Sequence, residues 1–154
     1  MFQGEITMKT AGEIIIEKGT HMVHVSPNDT LKKALEKMVS KNIGAIVVMA
    51  NEEVVGIWTE RHLLKSILDP NFNIEKAIIN EYMAKDIETI DHNEPIYLLS
   101  DKMLGLYTRY LFITKKDKII GMLSSGDIIR ACLIERKNQL ESIGWEYYES
   151  WKHK

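Results

Sequence analysis

Two hydrophobic periods recur along this chain, and they recur twice in the same order. A short alternating stretch, Met22 to Val25, predicts a strand. The cluster Ser26-Pro27-Asn28-Asp29-Thr30 predicts a turn with a helix N-cap. Leu31, Ala34, Leu35 and Met38 then lie at i, i+3, i+4 and i+7, one apolar face of a helix. Two β-branched runs follow, Ala45–Met49 and Val54–Trp58, joined by the polar turn Ala50-Asn51-Glu52-Glu53. A helix from Glu60 to Leu68 closes this half.

The second half repeats the order. Its elements are a strand Glu88–Ile90, a capping cluster Asp91-His92-Asn93-Glu94-Pro95, a helix, strands Tyr110–Thr114 and Ile119–Leu123 about the turn Lys115–Lys118, and a helix Ser125–Glu135. A shift of 65 positions superposes the halves without a gap from Val25 to Leu68, placing Gly56 on Gly121, Lys37 on Lys102, Met38 on Met103 and Leu68 on Leu133. The predicted fold is α/β, more strictly α+β, with two pseudo-symmetric β-α-β-β-α repeats packed sheet to sheet. Units this small bury little surface alone, so the two are expected to share a core.

The expected boundaries are residues 10–70 for the first repeat, 75–134 for the second, and 135–154 for a C-terminal helical extension. Thr10 to Lys18, with Ile14-Ile15-Ile16, is expected to pack on the core. The link after Asp69 is expected to hold a short helix over Ile74–Ile79. In the tail, Leu140, Ile143, Tyr147 and Trp151 form an amphipathic stripe flanked by Trp145 and Tyr148.

Composition narrows the function. A formal net charge of −2 gives no global field for nucleic acid or an anionic membrane. No apolar run approaches the ~18–20 residues that span a bilayer, and the N-terminus does not read as a signal peptide. The single cysteine, Cys132, excludes an internal disulfide and a cysteine-cluster metal site; a reducing cytoplasm is the expected compartment. His21 and His24 fall in a predicted strand, where i and i+3 face opposite ways, so no metal site is expected. No nucleophile–base pair or glycine-rich phosphate loop stands in the sequence, and no catalysis is expected.

The candidate chemistry lies where the last strand of each half enters its helix. The second half reads Gly121-Met122-Leu123-Ser124-Ser125-Gly126-Asp127-Ile128. A hydroxyl at a strand end beside the amides of a starting helix suits a phosphate. A carboxylate one turn later suits a sugar diol. The plain structural alternative is helix capping by Ser124 and Asp127. The first half reads Gly56-Ile57-Trp58-Thr59-Glu60-Arg61-His62-Leu63, with His62 where the other half has Asp127.

These two motifs, with Thr108-Arg109-Tyr110-Leu111-Phe112-Ile113, resemble the CBS-domain signature over about residues 12–134. The resemblance implies a tandem pair that binds an adenine nucleotide (AMP, ADP or ATP) between its halves as a regulatory ligand, without a required cofactor. It implies a ligand set of Ser124, Asp127, Met122 and Arg109, with Arg109 on phosphate, facing Thr20, Met22, Val23 and Ile43-Gly44-Ala45. A second site would use Thr59, Arg61 and His62 with Ile87, Glu88 and Thr89. His62 cannot accept two hydroxyl hydrogen bonds as a carboxylate does, so this site is expected to be weak or altered. The resemblance further implies a homodimer and an effector protein as readout. The alternatives are an interaction scaffold with a vestigial nucleotide site, or a binder of NAD or S-adenosylmethionine.

Overall fold

The computed structural model describes residues 8–142. In chain order the elements are α1 (Ala11–Lys18), β1 (His24–Val25), α2 (Leu31–Lys41), β2 (Ala45–Ala50), β3 (Glu53–Thr59), α3 (Glu60–Ser66), α4 (Ile79–Tyr82), β4 (Thr89–Asp91), α5 (Ile96–Leu106), β5 (Tyr110–Lys115), β6 (Lys118–Ser124) and α6 (Ser125–Ser142). The α+β reading holds. The strands form two three-stranded mixed sheets, β1-β2-β3 and β4-β5-β6, each with its first strand parallel and its hairpin antiparallel. Helix α6 carries the expected extension as far as Ser142. The aromatic stripe from Ile143 onward lies outside the described residues.

The 65-residue offset survives in atomic detail. Ala45 pairs with Thr59 as Tyr110 pairs with Ser124, and both hairpins shift register at the same place, Val48/Met49 and Ile113/Thr114. Both hairpins turn on two residues of positive φ, Asn51-Glu52 and Lys116-Asp117, as a type I′ connection demands. The Lys37 ammonium donates to the His24 carbonyl at 2.6 Å, and Lys102 donates to Thr89 at 2.6 Å. Each lysine ties the first helix of its repeat, α2 or α5, to that repeat's first strand.

The chain divides into two compact units that do not follow its linear order. One spans His21–Glu88; the other joins the chain up to Thr20 to the chain from Thr89 onward. Helix α1 thus belongs with β4-β5-β6, although it precedes the first half. Ala11 and Gly12 donate backbone hydrogen bonds to Glu94 and His92, and Ile96, first in α5, donates to Lys9. Helix α4 repeats this in the other unit: Ile79 and Asn80 donate to Asp29 and Pro27, and Leu31, first in α2, donates to Ala77.

That docking explains why the predicted helix over Ile74–Ile79 begins later. The carbonyls of Ile74 and Ala77 accept from the Lys32 and Leu31 amides, so a helix through them would lose those acceptors. A single turn forms at Asn73 instead, and α4 starts at Ile79.

Each unit has its own hydrophobic cluster. In the unit holding α1, fully or nearly buried Ala11, Ile14 and Ile15 meet Leu99, Leu111, Ile113, Leu123 and Ile128. In the other, Leu31, Ala34 and Met38 meet Ile46, Val48, Trp58 and Ile79. The alternate strand positions Val47, Ile57 and Phe112 are buried as well. Since successive strand residues face opposite ways, both faces of these strands are covered.

Candidate functional site

In the unit holding α1, β6 runs directly into α6 at Ser124. The Ser124 hydroxyl accepts from the Asp127 amide at 3.2 Å. The Asp127 carboxylate reaches back, Oδ2 accepting from the Ser124 amide and from the Ser124 hydroxyl, each at 2.7 Å. This is a capping box built with aspartate, which locks the rotamers of both residues. The same Oδ2 accepts from the Lys18 ammonium at 2.6 Å, and Lys18 also donates to the Met122 carbonyl at 2.8 Å. Five of the motif's polar groups are thus bound together, and among the described residues every hydrogen bond to the carboxylate converges on Oδ2. Burial alone pushes the Asp127 carboxyl up. The Lys18 ammonium and the amide and hydroxyl of Ser124 outweigh it and hold the group below the ordinary 3.8.

Lys18 is a residue that reading the motif misses. It ends α1, 109 positions from Asp127. Its signal in the sequence was a lysine in a last helical turn followed by Gly19, which has φ +98°; nothing there gave its address.

Arg109 stands just ahead of β5 with an exposed side chain, and its guanidinium has no ion pair among the described residues. Its carbonyl accepts from the Ser125 amide at 2.9 Å, which seats it beside the motif. Of the other candidates, Thr20 and Thr89 belong to this unit and are exposed. Met22, Val23, Ile43, Gly44 and Ala45 belong to the other unit, with Val23 accepting from Val47 and Gly44 accepting from Glu60. Gly44 and Ala45 therefore lie beside Thr59, the motif of their own unit. Ile87 and Glu88 are half-buried there, and Arg61 is exposed on α3.

The His62 site is a capping box too. The Thr59 amide lies 3.1 Å from His62 Nδ1, and the His62 amide donates to the Thr59 hydroxyl at 3.4 Å. An amide can only donate, so Nδ1 is an acceptor, the ring is neutral and its proton sits on Nε2. Burial first, then the charges of Lys65 and Arg61, hold its pKa below the ordinary 6.5. His62 is therefore neither a free surface residue nor a carboxylate equivalent. It caps as the carboxylate caps, and it brings no charge.

The motif glycines make room for the chain itself. A Cβ on Gly56 would lie 2.6 Å from Met83 Sδ and 2.8 Å from the Ala84 carbonyl, where Ala84 bridges to Ile57. A Cβ on Gly121 would meet Ile15 of α1. A close approach thus occurs at both positions, and its partner is the segment crossing each sheet.

Among the described residues no group of three or more His, Cys, Asp or Glu could hold a metal ion, and no helix is long and apolar enough to cross a membrane.

Comparison with known proteins places the fold. The chain is 34% identical over 116 residues to an uncharacterized 17.7 kDa protein of Acidianus ambivalens, covering 74% of this chain and 69% of that protein. Two further relatives are longer, and the chain spans 59% and 36% of them. Among solved structures, the CBS domain protein NE2398 superposes with a TM-score of 0.76 at 32% identity, over 82% of this chain and 98% of that one. The CBS domain pair of MJ0100, solved with 5′-methylthioadenosine and S-adenosyl-L-methionine, shares the fold at 19% identity and a TM-score of 0.67, over 80% of this chain and 94% of its own. The CBS domain model matches twice, at residues 6–69 and 79–134, one match ending and one beginning either side of the link. With both matches carrying the same strand–cap–helix motif, the chain belongs to the CBS-domain family, as a tandem pair.

Proposed function

We propose that this chain is a sensor that binds an adenine nucleotide (AMP, ADP or ATP) at the Ser124–Asp127 cap and performs no chemistry on it. One observation carries the reading. The Asp127 carboxylate is fixed by its own helix cap and ionised, yet its hydrogen bonds converge on Oδ2. Oδ1 then serves the ribose hydroxyls from a preset position, and a preset acceptor spends less ordering entropy on binding. Exposed Arg109 beside the motif supplies a planar cation for phosphate.

The bound nucleotide acts by favouring one arrangement of the protein, to the extent that its affinity differs between states. The readout is an effector protein. A homodimer in the cytoplasm is the working form; exposed Leu64 on α3, Ile67 and Leu68 just after it, and Ile129 and Leu133 on α6 supply apolar surface for a second copy. A scaffold with a vestigial site is the second reading, and neutral His62 in one of the two caps favours it.

The test is the thermal midpoint of the purified protein with AMP, ATP, NAD, S-adenosylmethionine and GTP, beside the Asp127→Ala variant. A ligand at about 100 times its dissociation constant adds about 2.7 kcal/mol. A rise with an adenine nucleotide that vanishes in the variant supports the sensor. No rise with any of them leaves the scaffold reading ahead.

A further inference from the structure

The ion pair at the cap bears on which adenosyl ligands the site admits. Lys18 is not a loosely held surface lysine. It ends a helix whose Ile14 and Ile15 are 4% and 0% exposed in the core, so its backbone is fixed. Its ammonium is pinned between the Met122 carbonyl and Asp127 Oδ2. An ammonium has three donors; the third has no partner among the described residues. The side chain is 35% exposed, and that of Asp127 17%, so ligand and solvent reach the pair.

With a ribose held on Asp127, Lys18 is the ammonium that shares the ribose-binding carboxylate, and the 5′ substituent is taken to lie on its side. A 5′-phosphate brings negative charge and strong acceptors, which the third N–H and Arg109 can meet. A 5′-sulfonium brings a positive charge beside a fixed cation. An unsubstituted adenosine brings neither. Aspartate alone would hold the three alike, because their ribose hydroxyls are the same. The other unit lacks this arrangement: its cap acceptor is the neutral His62 ring.

We propose that Lys18 is the specificity-determining residue of this site, selecting adenosyl ligands with a 5′-phosphate over those with a sulfonium or no charge at that position. The proposal rests on the nucleotide reading above.

The experiment measures dissociation constants by isothermal titration calorimetry for AMP, adenosine and S-adenosylmethionine, with wild type, Lys18→Met and Lys18→Arg. Circular dichroism and the thermal midpoint confirm that each variant is folded. The readout is the ratio of affinities within one protein. A general loosening of the cap weakens all three ligands and cancels in the ratio. Wild type is expected to prefer AMP over adenosine by tenfold or more. Lys18→Met should reduce that preference at least fivefold and move S-adenosylmethionine toward parity with AMP, and Lys18→Arg should restore it. Added salt should erode the AMP preference in wild type and much less in Lys18→Met. An AMP-to-adenosine ratio unchanged within twofold in Lys18→Met overturns the role of Lys18 and leaves the nucleotide reading standing. Wild type that binds none of the three overturns the nucleotide reading and this inference with it.

Discussion

A Cβ placed on Gly121 would lie 2.8 Å from Cδ1 of Ile15. The glycine that opens the second motif is thus fitted to a helix from the other end of the chain. Gly121→Ala should lose roughly 1–3 kcal/mol by overpacking. Ile15→Val deletes the offending carbon, so the double variant should be more stable than the sum of the single changes predicts. Gly56→Ala should admit no such rescue by trimming Met83, because the Ala84 backbone carbonyl stands at 2.8 Å. Urea unfolding of the four variants checks this. Strict additivity at Gly121 and Ile15 would mean that α1 does not press on the sheet there.

The Glu52 backbone has φ +65°, and it follows Asn51 in a two-residue hairpin turn. A left-handed conformation strains any residue with a Cβ by roughly 1 kcal/mol, and glycine after asparagine is the preferred type I′ pair. Glu52→Gly should therefore raise stability by about 0.5–1 kcal/mol despite the greater freedom glycine gives the unfolded chain. Glu52→Ala removes the same charge and keeps the strain, so it should gain nothing. Equal thermal midpoints for the two variants would assign any gain to charge and not to backbone.

Much of the fold was legible because the repeat is periodic. Lys37 and Lys102 stood out as identities before any reason for them was visible, and each proves to donate to the carbonyl of its own first strand. The hairpins and the motif helices followed from alternation and turn chemistry, which are local. The attachment of α1 was not legible. Ile14-Ile15-Ile16 announces an apolar helix, yet hydrophobicity carries no address, and the docking that decides it is backbone pairing with His92 and Glu94. Lys18 was invisible for the same reason. His62 was visible as the residue that replaces the carboxylate, but its capping role was not, because capping rules look for a carboxylate or amide acceptor at that position, and a neutral imidazole nitrogen serves as well.

Asp127 titrates below the ordinary 3.8 because Lys18 and Ser124 outweigh the effect of burial. The native state thus binds fewer protons than the unfolded state as the pH falls toward this range, and stability falls with it. Asp127→Asn should be less stable than wild type by about 1–2 kcal/mol at neutral pH, a figure reduced by solvent screening at the partly exposed lysine. The gap should be constant above about pH 5 and should shrink as the pH drops past the unfolded-state 3.8 and through the lower folded-state value. Guanidinium unfolding from pH 7 to pH 2.5 measures it. A gap that persists undiminished at the acid end would mean that the carboxylate charge is not what holds the cap.

His62 offers a second window at higher pH, with the same sign. Its folded-state pKa is held below 6.5 by burial and by neighbouring Lys65 and Arg61. The unfolded chain therefore takes up the proton first as the pH falls, and stability drops with it. Protonation also removes the Nδ1 lone pair that accepts from the Thr59 amide. His62→Asp puts a carboxylate where the other cap has one, at the positive end of a helix and beside two cations. It should add about 0.5–1 kcal/mol at pH 7, and the advantage should widen toward pH 5 as wild type loses its cap. The other histidines are common to both proteins, so the difference between the two urea curves at pH 7.5, 6.5, 5.5 and 5.0 isolates this one. An advantage that stays flat across the window would show that the imidazole is not the acceptor that starts α3.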